Sequence, residues 1–152
     1  MTEAKPSGRR PVPRPEDFPH RTVDTIRFGD LDRQGHVNNA VFATFFESGR
    51  VVVLYDKEYG LGGPDSSFVL AHLSIDFLGE MRWPGEVEIG TAVAAVGNSS
   101  LRVNQALFVN GVCVATAENT LVRVDKVTRR PLPFASEHAA RIRASAPAAP
   151  GV

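Results

Sequence analysis

Between Gly29 and Asp56 the sequence reads GDLDRQGHVNNAVFATFFESGRVVVLYD, and its first half gathers an acidic pair, a glycine, a histidine and two asparagines. A stretch this polar and turn-prone does not form the middle of a strand or a helix, so it is expected to be a loop that carries function. Asp32 is a carboxylate able to take a proton or to attack an electrophilic carbon. Asn38 and Asn39 stand where a helix begins. The first turn of a helix leaves backbone N–H groups without partners and carries roughly half a unit of positive charge, so an anion or a polarised carbonyl is favoured there. A loop carboxylate brought beside a helix N-terminus suits acyl transfer. No G-x-S-x-G elbow is present, so the chemistry does not need a serine triad.

The elements that must position these residues follow from the hydrophobic period. Val41, Phe42, Phe45, Phe46, Val52 and Val53 recur at helical spacing with Gly49 on the same stripe, which predicts a long helix from about Asn39 to Tyr59. It should stop at Gly60-Leu61-Gly62-Gly63-Pro64. Upstream, RTVDTIRF from Arg21 to Phe28 predicts a strand leading into the loop. Downstream the period becomes two. Val69, Ala71, Leu73, Ile75 and Phe77 mark a strand with one buried face, then Val87 to Ala95, Leu101 to Val109, and about Val112 to Val124 mark three more. Pro84-Gly85, Gly97-Asn98 and Asn110-Gly111 read as turns, the last a strong hairpin signal. Short turns make antiparallel neighbours. One helix with a broad apolar face and five strands is best served by a curved antiparallel sheet wrapped round the helix, an α+β architecture.

Flanking this unit, residues 1–20 are rich in Pro and Arg and are expected to be a disordered arm, and residues 134–152 a largely disordered tail with a short helical turn near Glu137 to Arg143. The ordered domain is expected over 21–133. At 152 residues the chain suits one domain with a real core. Lys plus Arg equals Asp plus Glu at 17 each, which argues against nucleic acid or an anionic membrane as partner. Nothing has metal-ligand spacing, no cofactor is expected, and no apolar run reaches the length of a membrane span or a signal peptide core. The single Cys113 cannot form an internal disulfide and sits among apolar strand residues, so a small core residue in a reducing cytoplasm is expected.

The loop GDLDRQGHVNN, the aromatic helix carrying FFESGR and the later GNSS turn together resemble the hotdog-fold acyl-CoA thioesterases related to 4-hydroxybenzoyl-CoA thioesterase, over roughly Arg21 to Pro133. The resemblance implies a hotdog fold and hydrolysis of an acyl-CoA to the free acid and coenzyme A. It puts the catalytic carboxylate, acting as general base or as nucleophile through an acyl anhydride, on Asp32. The helix N-terminal amide that polarises the thioester carbonyl falls on Asn39. It implies a homodimer or homotetramer with active sites at the subunit interface. The HVNN variant also resembles plant acyl-carrier-protein thioesterases, whose histidine and asparagine have been proposed as catalytic, which adds His36 to the catalytic set and keeps carrier-bound substrates open. A non-catalytic acyl-CoA binding module is a further alternative.

Around these, substrate contacts are expected from Gly35, Val37, Asn38, Phe42, Ser99 and Ser100. Gly35 permits a tight turn or close approach of the acyl group, while the two serines either form an ordinary turn or touch pantetheine or a phosphate. His36 could bond Asp32, bond the substrate or hold the loop. Asp30 should brace the turn. Glu47 and Arg50, three apart on the helix, form a structural ion pair or make Glu47 catalytic. Arg82, Arg102, Arg129 and Arg130 are either phosphate ligands or solvated charges.

Overall fold

A computed structural model of the chain describes residues 10–58 and 61–145. Residues 1–9 of the arm and 146–152 of the tail lie outside the described residues, as do Tyr59 and Gly60. Strand β1 (His20–Ile26) is followed by a 3-10 turn at Phe28–Asp30, helix α1 (Asn39–Leu54), strands β2 (Ser66–Phe77), β3 (Gly85–Val96), β4 (Ser100–Val109) and β5 (Val112–Asp125), and helix α2 (Ser136–Ser145). The five strands form one antiparallel sheet in the order β1-β3-β4-β5-β2, and α1 lies across β1, β3 and β4. This is the hotdog arrangement that the loop motif implied.

Consecutive strands are not all neighbours. The β4–β5 hairpin forms as expected, with Asn110 and Gly111 both at positive φ (50° and 78°), the backbone that a two-residue hairpin turn requires. β3 and β4 are likewise joined by a short turn. Strand β2, however, pairs with β5 at one edge, while β3 lies between β1 and β4. The segment 78–84 therefore crosses between distant strands where a turn was expected. Leu78 and Gly79 both donate to the carbonyl of Val114 (2.9 and 3.0 Å), which keeps the chain on β5, and buried Met81 then anchors the crossing in the core.

Helix α1 ends at Leu54, short of the expected Tyr59. Asp56 Oδ1 accepts the N–H of Glu58 at 2.7 Å, offering the backbone an alternative to another helical turn. Strand β2 has a bulge between Leu70 and His72, and its expected buried face is only partly covered. Leu73 and Ile75 pack against the core, whereas Val69 and Phe77 are 38% and 49% exposed, because α1 packs against the opposite half of the sheet.

Under the first half of α1, Phe42, Phe45 and Phe46 pack with Ile26, Val87, Ile89 and Leu107. At its C-terminal end, Val53 and Leu54 meet Leu61, Val93, Leu101 and Leu121, and α2 adds Ile142 to this second cluster. The described part of the arm also lies on the sheet: Phe18 packs edge-on against Phe108 at 5.9 Å. Gly49 marks the closest approach of helix to sheet, where a side chain would run into Ile89 and Gln105.

Arg50 does not pair with Glu47 among the described ion pairs. It turns inward, donating from Nη1 to Asn119 Oδ1 at 2.8 Å. Asn119 Nδ2 donates to Gln105 Oε1 (2.9 Å), and Gln105 Nε2 donates to Thr91 Oγ1 and to the helix carbonyl of Phe46, both at 2.9 Å. All four side chains belong to buried residues. Burial pulls the Arg50 guanidinium below its ordinary range, with Glu47 partly offsetting it. The chain of bonds fixes α1 in rotation and along its axis relative to three strands.

Candidate active site

The loop is built as a small hairpin. Asp30 is buried and braces its entrance as expected, accepting the backbone N–H of Arg27 at 2.8 Å on one oxygen and Arg27 Nη2 at 3.0 Å on the other. The carbonyl of Asp30 then accepts the N–H of Asn38 (2.9 Å), and Leu31 bridges Val37 antiparallel. Inside that bridge, Asp32 N–H donates to the carbonyl of His36 at 2.8 Å, and Gly35 takes φ +82°, a conformation that costs glycine little. Asp32 Oδ1 accepts the N–H groups of Gln34 (2.8 Å) and His36 (3.3 Å). Its Oδ2 has no protein partner among the described residues, so one oxygen holds the loop and the other is available for chemistry.

The helix start follows directly. Asn38 is the N-cap, its side chain accepting from Ala40 N–H at 3.0 Å. Asn39 is the first helical residue, and its N–H carries no hydrogen bond among the described residues. Asp32, His36, Val37, Asn39 and Phe42 line one cavity of about 380 Å³, together with Gln34. Its other wall comes from Phe77 to Glu80, the start of the crossing segment. Phe42 and Phe77 meet edge-on at 5.0 Å. Gly35 and Asn38 belong to the same loop and act on its shape.

Among the described residues the His36 ring meets Glu80 and Arg82, and no hydrogen bond joins it to Asp32. Nε2 lies 3.1 Å from Glu80 Oε2 and 3.1 Å from Arg82 Nη2, and Arg82 Nη2 lies 3.4 Å from the same Glu80 oxygen. Sequence reasoning missed Glu80. It falls in a stretch that reads as a turn, and no periodicity marks it as facing a cavity.

Ser99 and Ser100 are not brought to this cavity within one chain. Ser100 starts β4 opposite Val122, whereas Phe77 at the cavity lies opposite Ala115, a separation of about 23 Å along β5 at the usual rise per residue. Among the described residues, no group of three or more His, Cys, Asp or Glu is arranged to hold a metal ion, and no helix is long and apolar enough to cross a membrane.

Residues 26–142 match the model of the thioesterase-like superfamily. No curated protein matches the sequence. Among solved structures, the chain is similar to a Pseudomonas aeruginosa protein at 29% identity and TM-score 0.78, covering 90% of this chain and 100% of that one. A Thermus thermophilus thioesterase complexed with coenzyme A and zinc is 34% identical at TM-score 0.71, covering 85% and 95%. A predicted thioesterase from Bacillus stearothermophilus is 26% identical at TM-score 0.74, covering 84% and 96%.

Proposed function

The chain belongs to the thioesterase-like superfamily, and on that footing we propose that it hydrolyses acyl-CoA thioesters to the free acid and coenzyme A. The observation that carries this is the meeting of Asp32, with one unengaged carboxylate oxygen, and the unpartnered Asn39 N–H in a single cavity.

In this reading a water attacks the thioester carbonyl carbon while Asp32 Oδ2 takes its proton. The Asn39 N–H donates to the oxygen as it becomes an oxyanion. The tetrahedral intermediate then expels the thiolate, breaking the C–S bond, and the thiolate recovers a proton. One preorganised amide donor lowers the barrier by about 3 kcal/mol, and general-base action adds a factor on the order of 10² to 10⁴. Attack by Asp32 itself through an anhydride uses the same geometry. Coenzyme A as the thiol is supported by the coenzyme-bound Thermus thermophilus relative.

Assembly is part of the proposal. The free edge of β2 carries exposed Val69, Leu70 and Phe77, and an apolar strand edge calls for a partner. A second copy placed there would stand beside the cavity, because Phe77 lines both; a homodimer or homotetramer follows. The lone Cys113 fits a cytoplasmic setting.

The test is thiol release from a panel of acyl-CoAs, acetyl through long-chain to benzoyl and hydroxybenzoyl, with Asp32→Ala alongside. Turnover that disappears in the variant supports the assignment. Silence of the wild-type chain across the panel overturns it in favour of a carrier-bound thioester or a binding module.

A further inference from the structure

Hydrolysis as proposed leaves the cavity's second acid without a task. The surroundings of His36 Nε2 give Glu80 one. Two groups of opposite demand face this nitrogen at equal distance: the Glu80 carboxylate, which only accepts, and the Arg82 guanidinium, which only donates, each at 3.1 Å. A ring nitrogen either carries a proton or offers a lone pair, so the two hydrogen bonds exclude each other. Whichever forms decides the tautomer of the neutral ring.

With a proton on Nε2, His36 donates to Glu80, and Arg82 keeps its own contact with the same oxygen at 3.4 Å. Both bonds then end on a full negative charge and are charge-assisted. With Nε2 bare, Arg82 donates to a neutral nitrogen, and the carboxylate faces a lone pair at contact distance, acceptor against acceptor. Arg82 is also free to yield, its side chain 71% exposed and rich in other donors. Among the described residues the Asp32 carboxylate meets His36 only at its backbone N–H, not at the ring.

We propose that Glu80 is a positioning residue for His36: it accepts from Nε2–H, fixes the neutral ring in that tautomer, and leaves Nδ1 as the ring's one proton acceptor. Arg82 steadies Glu80, not the ring. The logic is that of a carboxylate orienting an imidazole, supplied here by the segment that crosses from β2 to β3. The consequence for turnover rests on the acyl-thioester reading above, because a proton taken up by His36 during hydrolysis then enters at Nδ1 and leaves an imidazolium held against Glu80.

The tautomer is measured directly, without substrate, by long-range ¹H–¹⁵N correlation of the full chain in the neutral range of histidine, with His36→Gln used to assign the signals. Wild type is expected to carry the proton on Nε2. Glu80→Ala should move it to Nδ1 as Arg82 takes over the bare Nε2, and Arg82→Met should leave it on Nε2. A wild-type ring protonated on Nδ1, or a Glu80→Ala ring unchanged from wild type, overturns the proposal. Kinetics give a second readout: in Glu80→Ala, kcat for an acyl-CoA falls on the order of tenfold to a hundredfold with KM near wild type, and Glu80→Gln, whose amide oxygen still accepts from Nε2–H, recovers most of it. Equal loss in both variants counts against the tautomer role. If no thioester is hydrolysed at all, the functional reading fails, and the tautomer measurement still decides this one.

Discussion

The N–H of Val37 donates to the carbonyl oxygen of Met81 at 2.9 Å, and that one backbone bond fastens the loop of Asp32 and His36 to the segment crossing from β2 to β3. Both partners are buried, so the junction is shielded from competing water. On one side of it stand Asp32 and His36, on the other Glu80 and Arg82.

Replacing Asp32 by Asn separates its two duties. An amide oxygen still accepts from the Gln34 N–H, so the loop should keep its shape, while the base is lost. Thiol-release assays should show kcat reduced about 10²- to 10⁴-fold with an unchanged melting temperature. Asp32→Ala should lose activity to the same extent and also about 1 kcal/mol of stability, read by urea denaturation, because the turn bond disappears with it.

The buried network predicts an order of damage. Asn119→Leu removes the one described side-chain acceptor for Arg50 and leaves its guanidinium buried without it, which should cost about 3 to 5 kcal/mol. Arg50→Met removes the charge itself and strands only the neutral Asn119 oxygen, a loss of about 1 to 3 kcal/mol. Denaturant unfolding of both variants tests the order; a larger loss in Arg50→Met would contradict the role given to Asn119.

Acid should weaken the fold through His20. Burial holds its imidazole below the ordinary value of 6.5, with Asp56 pulling partly back. The unfolded chain therefore takes up a proton at a pH where the folded chain does not, and the unfolded state gains as pH falls. The contribution is complete above about pH 6.5 and is lost below it, down to the lowered folded value. Between pH 7.5 and 5.5 the wild-type denaturation midpoint should fall more steeply than that of His20→Gln.

Cys113 is buried, and desolvation pushes its thiol up, with a backbone hydrogen bond at Ala115 partly offsetting it. A chromogenic thiol reagent should report almost nothing from the native chain and one equivalent per chain after denaturation. Rapid labelling of the native protein would mean that the sheet face carrying Phe18 and Phe108 opens readily.

How far the sequence carried depended on the range of the interaction. The helix start at Asn38 and Asn39, the turn at Gly35 and the Asn110-Gly111 hairpin are decided by residues next to one another, and each was legible. The place of β2 was not, since nothing within Leu78 to Pro84 states which strand the chain will join. Glu80 and the inward turn of Arg50 were hidden for the same reason. Their partners, His36 and Asn119, lie 44 and 69 positions away in sequence. The helical period placed Arg50 beside Glu47, but the closeness of α1 to the sheet at Gly49 gave it a better partner below.

Because the join between Val37 and Met81 is made by backbone atoms alone, it is indifferent to which side chains the crossing segment carries. Positions 78, 80 and 82 can be exchanged while the loop that holds Asp32 keeps its anchor. Of the three only Leu78 lines the cavity without a part in holding His36, so a library confined to its codon should retune acyl preference while sparing the hydrolytic step, whereas changes at Glu80 also reach the rate through His36.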